Sequence, residues 1–165
     1  MQLRSILSLA VGLVLPGTLS GCDGNPFNQG ADNLSGRWIY RAIDLRGTEV
    51  VCTTSNILLT LVQTPGSLNV DARFNGSAFP FEMECREGDR TATLLFTEGG
   101  SVVNGEVEDG VVAFDFTDPD FIHTGTITED DVMTGTIATR LDLTQTPLST
   151  VGVVNLFGQW EAVRE

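Results

Sequence analysis

From Leu34 onward, apolar and polar residues alternate with period two in short runs separated by turn residues, the pattern of half-buried β-strands. Leu68, Val70, Ala72 and Phe74 alternate with Asn69, Asp71 and Arg73. Phe81, Met83 and Cys85 alternate in the same way with Glu82, Glu84 and Arg86. Further strands are predicted over residues 37–45, 57–63, 79–86, 91–97, 101–108, 111–116, 123–128 and 132–139. The closing strand spans 159–164, with a partner around 151–156. Thr64-Pro65-Gly66-Ser67, Gly88-Asp89, Asp109-Gly110 and Glu129-Asp130-Asp131 supply the turns, Asp-Gly being a strong hairpin signal. No segment past residue 33 keeps an apolar i, i+3, i+4 period, so any helix is short.

Two internal echoes suggest how the strands are arranged. Thr124-Gly125-Thr126-Ile127 recurs ten residues later as Thr134-Gly135-Thr136-Ile137, with Asn104-Gly105-Glu106-Val107 a looser copy. That spacing fits consecutive strands of a meander. Glycine inside a strand marks a bend or a close backbone approach. Gly36-Arg37-Trp38 near the start is echoed by Gly158-Gln159-Trp160 near the end. With the first and last strands side by side, the sheet closes and its exposed edges disappear. The fold class expected is all-β: one antiparallel closed meander or barrel of about 8–10 strands over residues 34–165.

The first 33 residues read differently. Arg4 precedes an apolar run over residues 6–15, broken only by Ser8 and Gly12, and Pro16-Gly17 follows. A charged start, a short apolar stretch and small residues before a cut site describe a secretory signal. The run is about half the length needed to span a bilayer as a helix. Leu19-Ser20-Gly21-Cys22 resembles the lipobox of bacterial lipoproteins. The resemblance implies that residues 1–21 are removed, that Cys22 is lipidated, and that the protein is exported and anchored to a bacterial membrane, facing the periplasm or the cell exterior. Two or three acyl chains hold a protein stably where one does not. Residues 22–33, rich in Gly, Asn and Asp, would then form a flexible tether reaching roughly 20 Å.

Charge and cysteines narrow the partners. The formal charge is −13, and all nine basic residues are arginine. Removing Arg4 with the signal makes it −14. So acidic a surface repels phosphate backbones, which argues against nucleic acid as a partner. With Cys22 assigned to lipid, Cys52 and Cys85 are left, and two thiols in one small exported domain pair as a disulfide. The rival, a two-cysteine metal or redox site, lacks C-x-x-C spacing and has only one histidine in the chain to complete it.

Leu34-Ser35-Gly36-Arg37-Trp38 resembles the Gly-x-Trp start of the first strand in calycin-type barrels, the group of lipocalins and avidins. The resemblance implies a small barrel and gives Arg164 a role, covering Trp38 from a late strand. Lipocalins place a helix before the last strand, whereas residues 141–157 show no helical period.

Candidate chemistry is sparse. His123, the single histidine, has no nucleophile motif near it and reads as a surface or hairpin residue. Asp115, Asp118 and Asp120, and the pair Asp130-Asp131, sit around turns without the spacing of a calcium loop. The chain therefore has no assigned catalytic, cofactor or metal residues and reads as a non-enzyme. Trp38, Tyr40, Phe74, Phe81, Phe114 and Phe116 are candidates to line the barrel. They either bound a pocket for a small apolar ligand or fill a narrow interior. Filling leaves the outside of the barrel as the working surface, as in an envelope interaction module such as a hydrolase inhibitor.

Overall fold

The computed structural model describes residues 34–64, 72–117, 120–128 and 131–165. The expected signal segment (1–21), Cys22 and the expected tether lie outside these residues, as do Leu68, Val70, Asp118 and Asp130. Eleven strands make up the described fold, without a helix among the described residues. They are β1 (Gly36–Arg46), β2 (Val51–Thr54), β3 (Ile57–Gln63), β4 (Ala72–Ala78), β5 (Phe81–Glu87), β6 (Arg90–Phe96), β7 (Gly100–Glu108), β8 (Val111–Thr117), β9 (Asp120–Thr128), β10 (Val132–Asp142) and β11 (Val153–Arg164).

Eight strands, in the order β1-β3-β4-β7-β8-β9-β10-β11, form a closed antiparallel ring sealed by pairing of β11 with β1. The closing register sets Trp38 opposite Arg164 and Ala42 opposite Trp160. The two Gly-x-Trp units thus lie on neighbouring strands, as their echo suggests. Gly125 and Gly135 are directly paired across β9 and β10. A Cβ on Gly135 would stand 2.0 Å from the Thr124 carbonyl oxygen, and one on Gly125 2.7 Å from the Trp160 ring. The repeated Thr-Gly-Thr therefore clears the space that Trp160 occupies.

The remaining strands form a wing in the order β2-β5-β6. The wing starts at a kink in β1, whose first half pairs with β3 and whose last two residues pair with β2. Asp44 stands at the change of partner with φ 51°, inside an irregularity between Ile43 and Arg46. The left-handed residue bends the strand, and the bend lets one strand belong to two sheets. Gly158 passes this kink closely, a Cβ there meeting the Ile43 carbonyl oxygen at 2.8 Å. Residues 153–156 and 159–164, parts of the two segments 151–156 and 159–164 expected as separate strands, run on through Gly158 as the single β11.

Cys52 and Cys85 are joined across β2 and β5, as their count in the sequence suggests. The bond closes a loop of 33 residues. The inner face of the wing (Cys52, Phe81, Met83, Cys85, Ala92) is buried in the same apolar cluster as the ring interior. The rings of Phe81 and Phe121 meet at 6.4 Å between centroids, linking wing and ring.

Candidate functional site

The interior of the ring is the natural place for a ligand, and its contents decide what it can do. Inward positions of β1, β8, β9 and β11 deliver Tyr40, Phe114, Phe116, Phe121, His123 and Trp160, all essentially without solvent access. Trp38 and Phe74 are buried on ring strands as well, whereas Phe81, expected to line the barrel, lies on β5 of the wing and is buried there, meeting the ring through Phe121. The His123 ring stacks on Phe114 at 4.1 Å between centroids, nearly parallel. Phe116 lies 4.7 Å from it, Tyr40 5.5 Å and Trp160 5.6 Å. These are contact distances for aromatic rings. An eight-stranded barrel is just wide enough for its side chains to meet, and here they do.

His123 therefore corrects the sequence reading, which places it at the surface. It is 1% exposed. The reason lies in the start of β9, which begins at Asp120 rather than at residue 123. Phe121, His123 and Gly125 then share the inward face. An apolar residue two positions before the histidine is the signal that could have found it.

Two hydrogen bonds fix the histidine. The Phe114 carbonyl oxygen, which can only accept, lies 3.2 Å from Nδ1, so Nδ1 carries the proton. The Tyr40 hydroxyl then donates to the bare Nε2 at 2.9 Å. Burial pushes the imidazole down from about 6.5 to about 3, against an opposing pull from the Phe114 and Phe121 carbonyls. Burial likewise raises the Tyr40 phenol well above its ordinary value. At neutral pH the pair is an uncharged, internally satisfied unit. Trp160 donates its indole N–H to the Thr124 carbonyl oxygen at 3.3 Å, so its polar atom is also engaged.

At the end of the ring where β1 begins, the guanidinium of Arg164 lies 4.5 Å over the Trp38 ring. It also donates to the Ser35 carbonyl oxygen at 2.9 Å and pairs with Asp131 at 2.9 Å. This is the placement expected for Arg164. Trp38 donates to the Leu34 carbonyl oxygen at 3.0 Å, tying the first described residues to the barrel.

The outer wall carries a different pattern. Ile122, Ala138 and Phe157 stand side by side on β9, β10 and β11, and Ile122 is 54% and Phe157 64% exposed. The row is bounded by Asp115 on β8 and Arg46 on β1. Over the irregularity between β4 and β7, where Asn104 has φ 54°, lies an open depression of about 460 Å³ edged by Arg73, Asn75, Asn104 and Glu106. Asp115 accepts a hydrogen bond from Asn104 at 2.8 Å. Asp131 holds Arg164, so neither acid is gathered with other acids around a common point. Among the described residues no group of three metal-ligating side chains converges. Comparison with protein-family models, with curated proteins and with solved structures found no match to this chain.

Proposed function

We propose that this chain is a lipid-anchored, non-enzymatic protein of the bacterial cell envelope. It works through the outside of its barrel, as a protein-interaction module of which a hydrolase inhibitor is one form. The observation that carries this reading is the ring interior, occupied by Tyr40, His123, Trp160 and three phenylalanines in mutual contact. A small apolar ligand would have to displace those rings and break the Tyr40–His123 bond. The outer wall instead offers Ile122, Ala138 and Phe157 as a contiguous apolar row, the kind of residue that anchors a partner. Ion pairs such as Arg41–Glu161 on the same wall are unlike the apolar band of a membrane-spanning barrel. The Cys52–Cys85 bond suits an oxidising compartment, which supports export. The lone histidine is sealed from solvent and uncharged, and so has no access to a substrate.

The test is made in the host cell. A photo-crosslinking residue at position 122 or 157 is expected to capture one defined envelope protein, while one at the exposed Ser101 on β7 captures none. The wild-type chain is expected in the membrane fraction with added lipid mass on Cys22, and Cys22→Ser is released from it. A mature product that keeps Met1 and has no lipid mass overturns the anchoring. Identical crosslinks from both faces overturn the interaction surface.

A further inference from the structure

Ring closure removes every edge of the barrel, and the wing is left with one. β6 pairs with β5 on one side and with no strand on the other among the described residues. Which of its backbone groups are unpaired follows from the geometry of the neighbouring strands. Cys52 and Cys85 face each other with Cα atoms 4.1 Å apart, the close spacing of a pair that exchanges no backbone hydrogen bonds. Ser55 donates its N–H to the Glu82 carbonyl at 3.0 Å, so Glu82 and, by alternation, Glu84 turn their backbone groups toward β2. Met83 and Cys85 then turn theirs toward Leu94 and Ala92. It follows that Thr91, Thr93 and Leu95 point their N–H and C=O groups outward, away from β5.

An unguarded edge of this kind is unusual. Edge strands are ordinarily blunted by charges, proline or a bulge. Residues 91–97 (Thr-Ala-Thr-Leu-Leu-Phe-Thr) contain none of these, in a chain of net charge −13. Leu95 is 62% exposed on the outer face. β6 runs seven residues with regular pairing to β5 throughout, so its free side is straight.

We infer that β6 is a dimerisation edge, and that its occupant is β6 of a second copy, added antiparallel about a two-fold axis through Thr93. The strand is complementary to itself in that register. Thr93 exchanges two backbone bonds with Thr93 of the second copy, and Thr91 pairs with Leu95 on either side. All four flanking side chains are neutral. Arg90 stands at one end of the strand and Glu98 just beyond the other, so the antiparallel arrangement brings opposite charges together at both ends. Arg90 is already held in place by Glu87 and by Thr150 at 2.8 Å, which leaves further guanidinium donors free for a partner. The result is one sheet continuous through both wings. This inference rests on the wing alone and is independent of the anchoring and of the outer-wall reading.

The register gives a direct test. Thr93 is exposed and stands opposite Glu84 of β5, so the monomer favours a lysine there and mildly disfavours a glutamate, but in the dimer either one faces its own copy, where like charges repel. Sedimentation of the full chain in density-matched detergent, over about 1–100 µM, is expected to show a monomer–dimer equilibrium. Thr93→Lys and Thr93→Glu are each expected to raise the dissociation constant at least about fivefold, the lysine without loss of thermal stability and the glutamate with the small loss that Glu84 opposite it imposes. An equimolar mixture of the two is expected to recover a dimer, which a folding defect would not do. Amide exchange at Thr91, Thr93 and Leu95 is expected to slow as concentration rises. A wild-type chain that stays monomeric throughout, a dimer indifferent to both substitutions, or β6 protection only when an extended peptide is added would each overturn the inference.

Discussion

Acid should destabilise this protein through one buried ring, by an amount the structure sets. His123 is neutral in the folded state, with Nδ1–H committed to the Phe114 carbonyl and Nε2 to the Tyr40 hydroxyl, and its pKa is held down at about 3. Unfolding returns the imidazole to water and to its ordinary value near 6.5. Between those limits the unfolded chain binds the extra proton, so stability falls as the pH falls, by up to about 1.4 kcal/mol per pH unit. Above pH 6.5 the group contributes no slope, and below about 3 the loss is complete. From pH 7 to pH 4 the loss comes to about 3 kcal/mol. Carboxylates act in the same direction. Asp142, for example, is held below its usual value by hydrogen bonds from Thr144, and that contribution too disappears in acid. The His123 share is therefore read as a difference from His123→Gln, which keeps an acceptor and a donor without the titration. Urea unfolding followed by fluorescence of the buried Trp38 and Trp160 gives both free energies. The stability difference between wild type and variant should change by about 3 kcal/mol in favour of the variant on going from pH 7 to pH 4. Curves that stay parallel across that window would refute the reasoning, as would an imidazole that titrates near 6.5 by NMR in the folded protein.

Three further outcomes follow from the packing. Tyr40→Phe leaves Nε2 of His123 buried without a donor and should lower stability by about 1–3 kcal/mol, measured by chemical denaturation at pH 7. Removing the Cys52–Cys85 bond, by reduction or by replacing both cysteines with alanine, should cost about 3–4 kcal/mol for a loop of this length. The loss should appear as a lower urea midpoint with an unchanged far-UV spectrum. Gly135→Ala would place a methyl 2.0 Å from the Thr124 carbonyl oxygen, forcing β9 and β10 apart. Thermal unfolding should register roughly 1–3 kcal/mol, whereas Gly110→Ala meets no neighbouring atom and should show only the strain of its φ of 78°.

The ring was largely legible because its signals are periodic or repeated. Alternation marked most of the strands, and the Gly-x-Trp echo marked β1 and β11 as neighbours. The Thr-Gly-Thr echo marked β9 and β10. The wing was not legible as a separate element. β2 is four residues long, too short for a period to show, and the split between ring and wing depends on the backbone conformation of Asp44, which no local pattern encodes. Gly158 reads as a break in the sequence yet continues β11, because its missing side chain serves a close approach from the kink in β1. The aromatic contents of the interior were visible one residue at a time. That they fill it depends on Phe121, His123 and Trp160 meeting Tyr40, Phe114 and Phe116, a matter of strand register across the four strands β1, β8, β9 and β11.

The solid interior is the claim on which the functional reading turns, and native mass spectrometry of the protein purified from its own host tests it most directly. The expected spectrum contains the chain with its acyl modification and no further small molecule. A stoichiometric apolar compound that is released on unfolding would contradict the account.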